Sequence, residues 1–350
     1  MITPTDWMVA HHAHGERFAP LEMLNQWWRT ITPRLPFRAT NCAEFAVWQA
    51  EIRAALTVQL GQTPPALPLQ PRILAAGQLE AGVRFRYGEV ETAPGMTVPF
   101  IVLVPDELTT PRPGVLCVHG HGDGMNPLIG RDAEGEALDD YQHAFALEAC
   151  RRGYVALTFD LMGFGRRRDF WFLEQFGGCA CDTPSEFALH LGSSMAALRL
   201  FDAQQMVTLL ALQPEVDATR IATAGISGGG LVSFFLSVLD ERVRAAMISG
   251  YFNRFAAFMQ VAHCVDNFVP GMATLADLPD FGCAIAPRPL LISQGEHDPI
   301  FPLDATRDGV VQLRSAYRLF DAEDRLEEEY YDAEHEFSHA RVWDFFREWV

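Results

Sequence analysis

The stretch ATAGISGGGLVSFF, residues 222–235, places Ser227 among glycines, with small apolar residues before it and a helix-like apolar run after it. This pattern predicts a buried strand that turns abruptly into a buried helix. Such a turn crowds the residues two places before and after its centre, and Gly225 and Gly229 occupy those places. The stretch therefore predicts a Gly-x-Ser-x-Gly nucleophile elbow. The alternative is an inert serine in a glycine-rich turn.

The composition is that of a globular protein with a large core. The chain has 350 residues, of which 49% are hydrophobic and 21% charged, so we expect one large domain with an appendage. The net charge of −18 disfavours nucleic acid and anionic membranes as partners. The sequence has no apolar run of membrane-spanning length and no pattern of a secretory signal, so we expect a cytoplasmic protein.

The cysteines and histidines do not predict a metal site. The seven cysteines are an odd number, and only Cys179 and Cys181 lie close together, without a second pair at metal-binding spacing. We therefore expect buried thiols. The HHAH run at residues 11–14 is more typical of a solvated face than of a metal site.

Residues 1–72 predict a helical N-terminal extension, and residues 73–350 predict the main domain. Apolar residues recur at three- and four-residue spacing in the extension, which is also a candidate surface for a homo-oligomer. The proline-rich segment at residues 61–71 ends the helical pattern. Beyond it, apolar strands alternate with amphipathic helices, which predicts a mostly parallel sheet covered by helices on both faces.

The main domain contains four informative phrases, which are LCVHGHGDG, RRGYVALTFDLMGFGRRR, HCVDNFVPG and IAPRPLLISQGEHDPIFP. Together they resemble the α/β-hydrolase superfamily, in its dienelactone-hydrolase-like and acetyl-xylan-esterase-like branch. The resemblance extends over roughly residues 80–350. It implies an α/β-hydrolase fold that acts on carboxylic esters.

A serine nucleophile needs a base within hydrogen-bond reach and an acid that orients this base. In this fold both follow the serine along the chain. Asp298 ends a predicted strand, where parallel strands present side chains at one sheet edge, and His335 lies in the loop before the last helix. Alternatives are Glu296 as the acid and His339 as the base. His339 is the weaker candidate, because we expect it within the closing helix, with Ser338 as the helix cap.

The tetrahedral oxyanion formed in acyl transfer needs hydrogen-bond donors. In this fold one donor is the backbone amide after the nucleophile, which is that of Gly228. The resemblance implies that the second is the amide of His121, in the HGHG run at residues 119–122. The alternative for the imidazole of His121 is packing in a turn.

Two long insertions are candidate lids that would determine substrate choice. They are residues 166–194 and 250–282, both rich in phenylalanine. Trp171 and Arg166 are candidate substrate contacts in the first insertion. Alternatively, the aromatic rings only pack the lids onto the domain, and the three consecutive arginines that begin at Arg166 form salt bridges.

The combined hypothesis is a serine hydrolase that cleaves an acetyl ester, or a related small ester or lactone, through an acyl-enzyme and without a cofactor. The same triad would also serve a serine peptidase or a carbon–carbon bond hydrolase. A non-catalytic binding protein on a hydrolase fold is the alternative of another class, since a fold does not determine function.

Overall fold

The computed structural model describes residues 20–177 and 179–350, so the HHAH run lies outside the described residues. Within this part of the chain, nine strands form a single sheet in the order β1-β2-β3-β5-β4-β6-β7-β8-β9. The strands are β1 (Arg72–Glu80), β2 (Val83–Ala93), β3 (Met96–Pro105), β4 (Arg112–Val118), β5 (Val155–Phe159), β6 (Val216–Ile226), β7 (Val243–Ser249), β8 (Leu290–Gly295) and β9 (Leu326–Tyr331).

The sheet is antiparallel at one edge and parallel elsewhere. Strands β1, β2 and β3 pair antiparallel, as do β3 and β5. From β5 across to β9, all neighbouring strands pair parallel. The carboxyl ends of β4, β6, β7, β8 and β9 therefore lie at one edge, where side chains from distant parts of the chain can meet.

Helices cover both faces of the sheet, which confirms the predicted architecture. Because side chains alternate across a strand, Leu116 and Val118 of β4 enter one core, whereas Val115 and Cys117 enter the other. The α-helices of the described residues are α1 (Pro20–Trp28), α2 (Cys42–Leu60), α3 (Phe145–Arg151), α4 (Phe170–Phe176), α5 (Asp182–His190), α6 (Met195–Ala211), α7 (Gly228–Leu239), α8 (Phe255–Phe258), α9 (Met272–Leu275), α10 (Leu278–Cys283), α11 (Leu303–Arg318) and α12 (Val342–Trp349).

The two described N-terminal helices differ in how far they are buried against the rest of the chain. Helix α1 buries none of its side chains. Helix α2 begins after Asn41, whose side chain accepts hydrogen bonds from the amides of Ala43 and Glu44, and its apolar residues join the larger core. Among the described helices, none is long and apolar enough to cross a membrane.

The structure has one strand that the sequence pattern missed, and its closing helix begins later than predicted. Strand β1 was missed because its residues are almost all exposed and lack an alternating pattern. The closing helix begins at Val342, so His339 precedes it. Ser338 is not its cap, because the Ser338 hydroxyl donates to Oε1 of Glu329 and accepts from the amide of Ala340.

Candidate functional site

Ser227 lies at the turn between β6 and α7, in a backbone conformation that only glycine adopts without strain. Its φ is +58°. A Cβ on Gly225 would collide with the carbonyl oxygen of Gly229, and a Cβ on Gly229 would collide with that of Val118. The glycines are therefore required where the strand turns into the helix. The Ser227 amide donates to the carbonyl of Ser249 at 3.0 Å, which ties the turn to β7.

Asp298 and His335 meet beside this turn. Nδ1 of His335 lies 2.7 Å from Oδ2 of Asp298. Oδ1 of the same carboxylate accepts hydrogen bonds from the amides of Ile300 and Phe301, at 2.8 and 3.1 Å. The Asp298 side chain is 1% exposed and that of His335 13% exposed, so this contact is shielded from solvent.

Two aromatic rings pack against the imidazole of His335. Tyr141 and Phe301 each stack on it with ring centroids 5.8 Å apart and an interplanar angle of 24°. Since the carboxylate of Asp298 favours a proton on Nδ1, Nε2 is left as the acceptor. Nε2 is buried and has no hydrogen-bond partner among the described residues.

A cavity of about 400 Å³ connects these groups. Ser227 and His335 line it together with Tyr141, and its other lining residues come mainly from the second insertion and from the turn after β8. These residues are His121, Ala262, His263, Cys264, Asn267, Ile300 and Phe301. The nucleophile candidate and the imidazole therefore border the same small space.

The two predicted oxyanion amides border the turn at Ser227. In the part of the chain that the structure describes, neither the amide of His121 nor that of Gly228 donates a hydrogen bond. The loops are close, since a Cβ on Gly228 would lie 3.2 Å from Nδ1 of His121. The Tyr141 hydroxyl donates to the carbonyl of His121 at 2.7 Å and fixes this loop.

The sequence profile of the Abhydrolase family matches residues 2–342. The chain belongs to this family. YtaP of Bacillus subtilis (strain 168), which bears the name of a hydrolase, is 27% identical over 284 residues, covering 77% of this chain and 88% of YtaP.

Solved structures resemble this Abhydrolase family member in fold. A Bacteroides fragilis NCTC 9343 protein assigned as an acetyl xylan esterase has a TM-score of 0.76 and 21% identity, covering 90% of this chain and 82% of that one. A glucuronoyl esterase from Solibacter usitatus has a TM-score of 0.67 and 13% identity, covering 91% of this chain and 97% of that one. The predicted α/β-hydrolase fold is confirmed.

The alternative acid and base have other partners. Glu296 lies 3.5 Å from a guanidinium nitrogen of Arg307 and is partly exposed. Nε2 of His339 lies 2.8 Å from the carbonyl of His143, and its Nδ1 accepts a hydrogen bond from Nε1 of Trp343 at 3.2 Å. In this member of the Abhydrolase family, the structure thus brings Asp298 and His335 together. Both ring nitrogens of His339 contact other groups.

The imidazole of His121 belongs to a further group of polar side chains beside the cavity. A ring nitrogen of His121, the thiols of Cys181 and Cys264 and a carboxylate oxygen of Asp266 all lie within 4.8 Å of one another. We call these four residues the His121 cluster. Arg199 of α6 donates to Oδ2 of Asp266 at 2.6 Å, and both side chains are buried.

Electrostatic contacts shift the pKa values within the His121 cluster. Burial would lower the pKa of His121, but Asp266 and Cys264 outweigh it and raise this pKa to about 9. Burial would raise the pKa of Asp266, but His121 and Arg199 hold it below its usual value. A contact with the Cys181 thiol lowers the pKa of Cys264, against the effect of burial.

The predicted substrate contacts of the first insertion lie outside the cavity lining. Trp171 is 66% exposed. Nη1 of Arg166 donates to Oδ1 of Asn126 at 3.2 Å and lies 3.7 Å from Oδ2 of Asp160. The next two arginines also pair with carboxylates. The structure therefore favours the salt-bridge interpretation of the three arginines.

Sequence reasoning missed several residues of the site. Tyr141 and Arg199 carry no local signal, because each acts through neighbours that are distant in sequence, whereas Phe301 lies in the IAPRPLLISQGEHDPIFP phrase. Cys264 and Asp266 do have one, since both lie in the HCVDNFVPG phrase within a predicted lid. Asp298 and His335, at the carboxyl-terminal edge of the sheet, were predicted from their strand and loop positions together with the resemblance to the α/β-hydrolase superfamily.

Proposed function

We propose that this protein hydrolyses carboxylic esters through an acyl-enzyme formed on Ser227. One observation supports the proposal most strongly. His335 holds Nδ1 against the carboxylate of Asp298 at 2.7 Å, while its Nε2 is buried without a hydrogen bond and the imidazole borders the cavity that Ser227 lines. A general base for a serine hydroxyl needs an imidazole that a carboxylate orients beside the nucleophile, with its second nitrogen free to accept a proton.

In the acylation step, Nε2 of His335 accepts the proton of the Ser227 hydroxyl as Oγ attacks the ester carbonyl. The resulting oxyanion is stabilised by the backbone amides of His121 and Gly228. His335 then donates the proton to the leaving alkoxide, so that the carbon–oxygen bond of the ester breaks and the acyl group remains on Ser227. Asp298 stays ionised and stabilises the imidazolium.

Deacylation reverses these roles. His335 takes a proton from water, whose oxygen attacks the acyl carbonyl, and the same amides hold the second oxyanion. The proton then returns to Oγ of Ser227 as the acid leaves. The stacked rings of Tyr141 and Phe301 keep the imidazole in one orientation through both steps.

We infer that the substrates are small esters, such as acetyl esters. The cavity of about 400 Å³ lies at the small end of ligand sites. Ala262, Ile300 and Phe301 form an apolar wall beside polar groups. The esterase names of the acetyl xylan and glucuronoyl esterases that share the fold support a carboxylic-ester substrate.

The test is turnover of activated acyl esters of increasing chain length, measured beside acetylated sugars and a lactone. We expect the short acyl esters to be hydrolysed fastest. We expect Ser227→Ala to lower turnover by about 10⁴-fold or more, because triad residues act as a unit. Ester hydrolysis by folded Ser227→Ala at the wild-type rate would contradict the proposal. Hydrolysis of a peptide or a carbon–carbon bond, without hydrolysis of any ester, would also contradict it and would favour one of the two alternative hydrolases.

A further inference from the structure

The His121 cluster brings together four side chains that are typical metal ligands. Its members come from three separate segments: the loop after β4 provides His121, the first insertion provides Cys181, and the second insertion provides Cys264 and Asp266. All four donor atoms lie within 4.8 Å of one another. Nε2 of His121 lies 3.1 Å from Oδ2 of Asp266.

We propose that the His121 cluster binds a zinc ion or a similar divalent transition metal. Two thiolates, one imidazole and one carboxylate are the donors that zinc prefers, and four of them satisfy its tetrahedral geometry. Zinc–ligand bonds of about 2.0–2.3 Å place neighbouring donor atoms roughly 3.2–3.8 Å apart. The donor atoms of the cluster lie within 4.8 Å of one another, so side-chain movements of about 1 Å would bring them to this spacing.

The charges around the cluster match a divalent cation. Two thiolates and the carboxylate of Asp266 carry three negative charges. The ion provides two positive charges, and the guanidinium of Arg199 provides the third. Arg199 is 2% exposed and Asp266 is fully buried. Because an uncompensated buried charge is costly, a net charge of zero on the metal-bound cluster and Arg199 favours binding.

The contacts around the four donors resemble the outer hydrogen bonds of metal sites. Nη2 of Arg199 lies 3.5 Å from the sulfur of Cys181, and Nδ2 of Asn267 donates to Oδ1 of Asp266 at 2.8 Å. Such contacts orient ligands and strengthen metal binding. Nε2 of His121 is buried and makes no hydrogen bond within the described residues, although it lies 3.1 Å from Oδ2 of Asp266. A metal ion would take the place of the proton on this nitrogen.

The bound ion would connect both insertions to the loop that carries the amide of His121. Cys264 and His121 also line the cavity at Ser227. The ion would therefore hold the second insertion in place over the cavity, and its binding would raise the melting temperature by linkage. Metal binding itself does not depend on Ser227.

A second group of donors provides an internal control. Cys179 and Asp182 lie near Cys264 within the same distance limit, but this group has only three members, and Cys179 is exposed. Four donors around a buried carboxylate bind zinc more tightly than three partly exposed ones. Cys179→Ser therefore distinguishes the two groups, and Cys42→Ser tests a thiol at the start of α2.

The experiment uses the full chain, reduced and stripped of metal by a chelator, titrated with Zn²⁺ in a calorimeter and with Co²⁺ in a spectrophotometer. We expect one ion per chain with a dissociation constant below about 1 µM. We also expect the visible and thiolate charge-transfer bands of tetrahedral cobalt. Cys181→Ser and Cys264→Ser should each weaken binding by more than about 100-fold, since even outer contacts are worth 10–100-fold.

The controls make the result decisive. Cys42→Ser, Cys179→Ser and Ser227→Ala should bind the ion as the wild type does, and Ser227→Ala should do so even if ester hydrolysis rests on another residue. Circular dichroism checks folding. If Cys181→Ser does not fold, Cys264→Ser tests metal binding, and Cys179→Ser beside it distinguishes the two groups, because Cys264 belongs to both. Failure of the folded wild type to bind Zn²⁺, or unchanged binding by Cys264→Ser, would overturn the proposal. Loss of binding in Cys179→Ser but not in Cys181→Ser would also overturn it.

Discussion

Asp298 holds His335 with one carboxylate oxygen while the other is fixed by the backbone. Oδ2 lies 2.7 Å from Nδ1 of His335, and Oδ1 accepts from the amides of Ile300 and Phe301. The carboxylate therefore cannot rotate without losing hydrogen bonds in a buried site. The orientation of the imidazole is thus determined by the turn that follows β8.

We predict that Asp298→Asn lowers turnover by about 10⁴-fold with little change in structure. An amide at this position disfavours the tautomer with the proton on Nδ1, and so removes the base at Nε2. Steady-state kinetics on a short acyl ester, with circular dichroism as the folding check, measures the effect.

Glu296→Gln is the matched control, because Glu296 lies two residues away and contacts Arg307 on the surface. We expect it to retain most activity. If Glu296→Gln lost activity while Asp298→Asn kept it, the acid would be Glu296.

The two histidines of the HEFSH run should differ in their effect on turnover. We predict that His335→Ala matches Ser227→Ala, and that the double variant is no worse than either single one, because the two residues act in the same steps. His339→Ala should keep most activity, since both its nitrogens contact other groups. Turnover of all four variants under one set of conditions decides this, and an inactive His339→Ala beside an active His335→Ala would refute the assignment.

Stability should fall as the pH decreases below about 6.5, partly through His339. Burial lowers the pKa of His339, although the carbonyl of His143 and the charge of Glu148 oppose this shift. Arg152 and the His143 imidazole add to the effect of burial. Because the folded pKa lies below the unfolded value of about 6.5, the unfolded chain binds more protons below that pH. His339 therefore stabilises the fold fully above about pH 6.5 and progressively less below it.

Urea unfolding of the wild type and of His339→Gln at several pH values measures this contribution. The glutamine cannot titrate, so the variant should lose less free energy of unfolding than the wild type as the pH falls from about 7.5 to 5.5. Equal losses in the two proteins would show that His339 does not contribute.

Ser227→Gly and Ser227→Ala should both be inactive but should differ in stability. Alanine shares the strain of serine at a φ of +58°, whereas glycine adopts this conformation freely. The greater entropy of glycine in the unfolded chain offsets part of this advantage. We therefore expect Ser227→Gly to be more stable than Ser227→Ala by about 1 kcal/mol. Urea unfolding of the two variants measures the difference, and a less stable glycine variant would exclude strain at the turn.

Local patterns in the sequence predicted the parts of the site that are made locally. The β6–α7 turn follows from Gly225 and Gly229, whose lack of a side chain the backbone contacts require. Asp298 follows from its place after β8, because parallel strands end at one edge. Strand β1 was missed because its exposed residues carry no alternating pattern.

The His121 cluster could not be predicted, because its contacts are made by tertiary packing. In the sequence, Cys181 lies nearest to Cys179, but in the structure its thiol lies beside that of Cys264, in the other insertion. Arg199 lies on a helix predicted from its apolar residues, and its pairing with Asp266 depends on how α6 meets the second insertion. No spacing rule relates such residues.

The most direct test of the central claim is to locate the covalent adduct of a fluorophosphonate by peptide mass spectrometry. The account predicts one adduct per chain, on Ser227, with loss of ester hydrolysis in proportion to labelling. Labelling should be abolished in Ser227→Ala and strongly slowed in His335→Ala, and it should proceed normally in His339→Ala. An active enzyme whose adduct lies on another residue, or whose ester hydrolysis persists when Ser227 is fully labelled, would contradict the account.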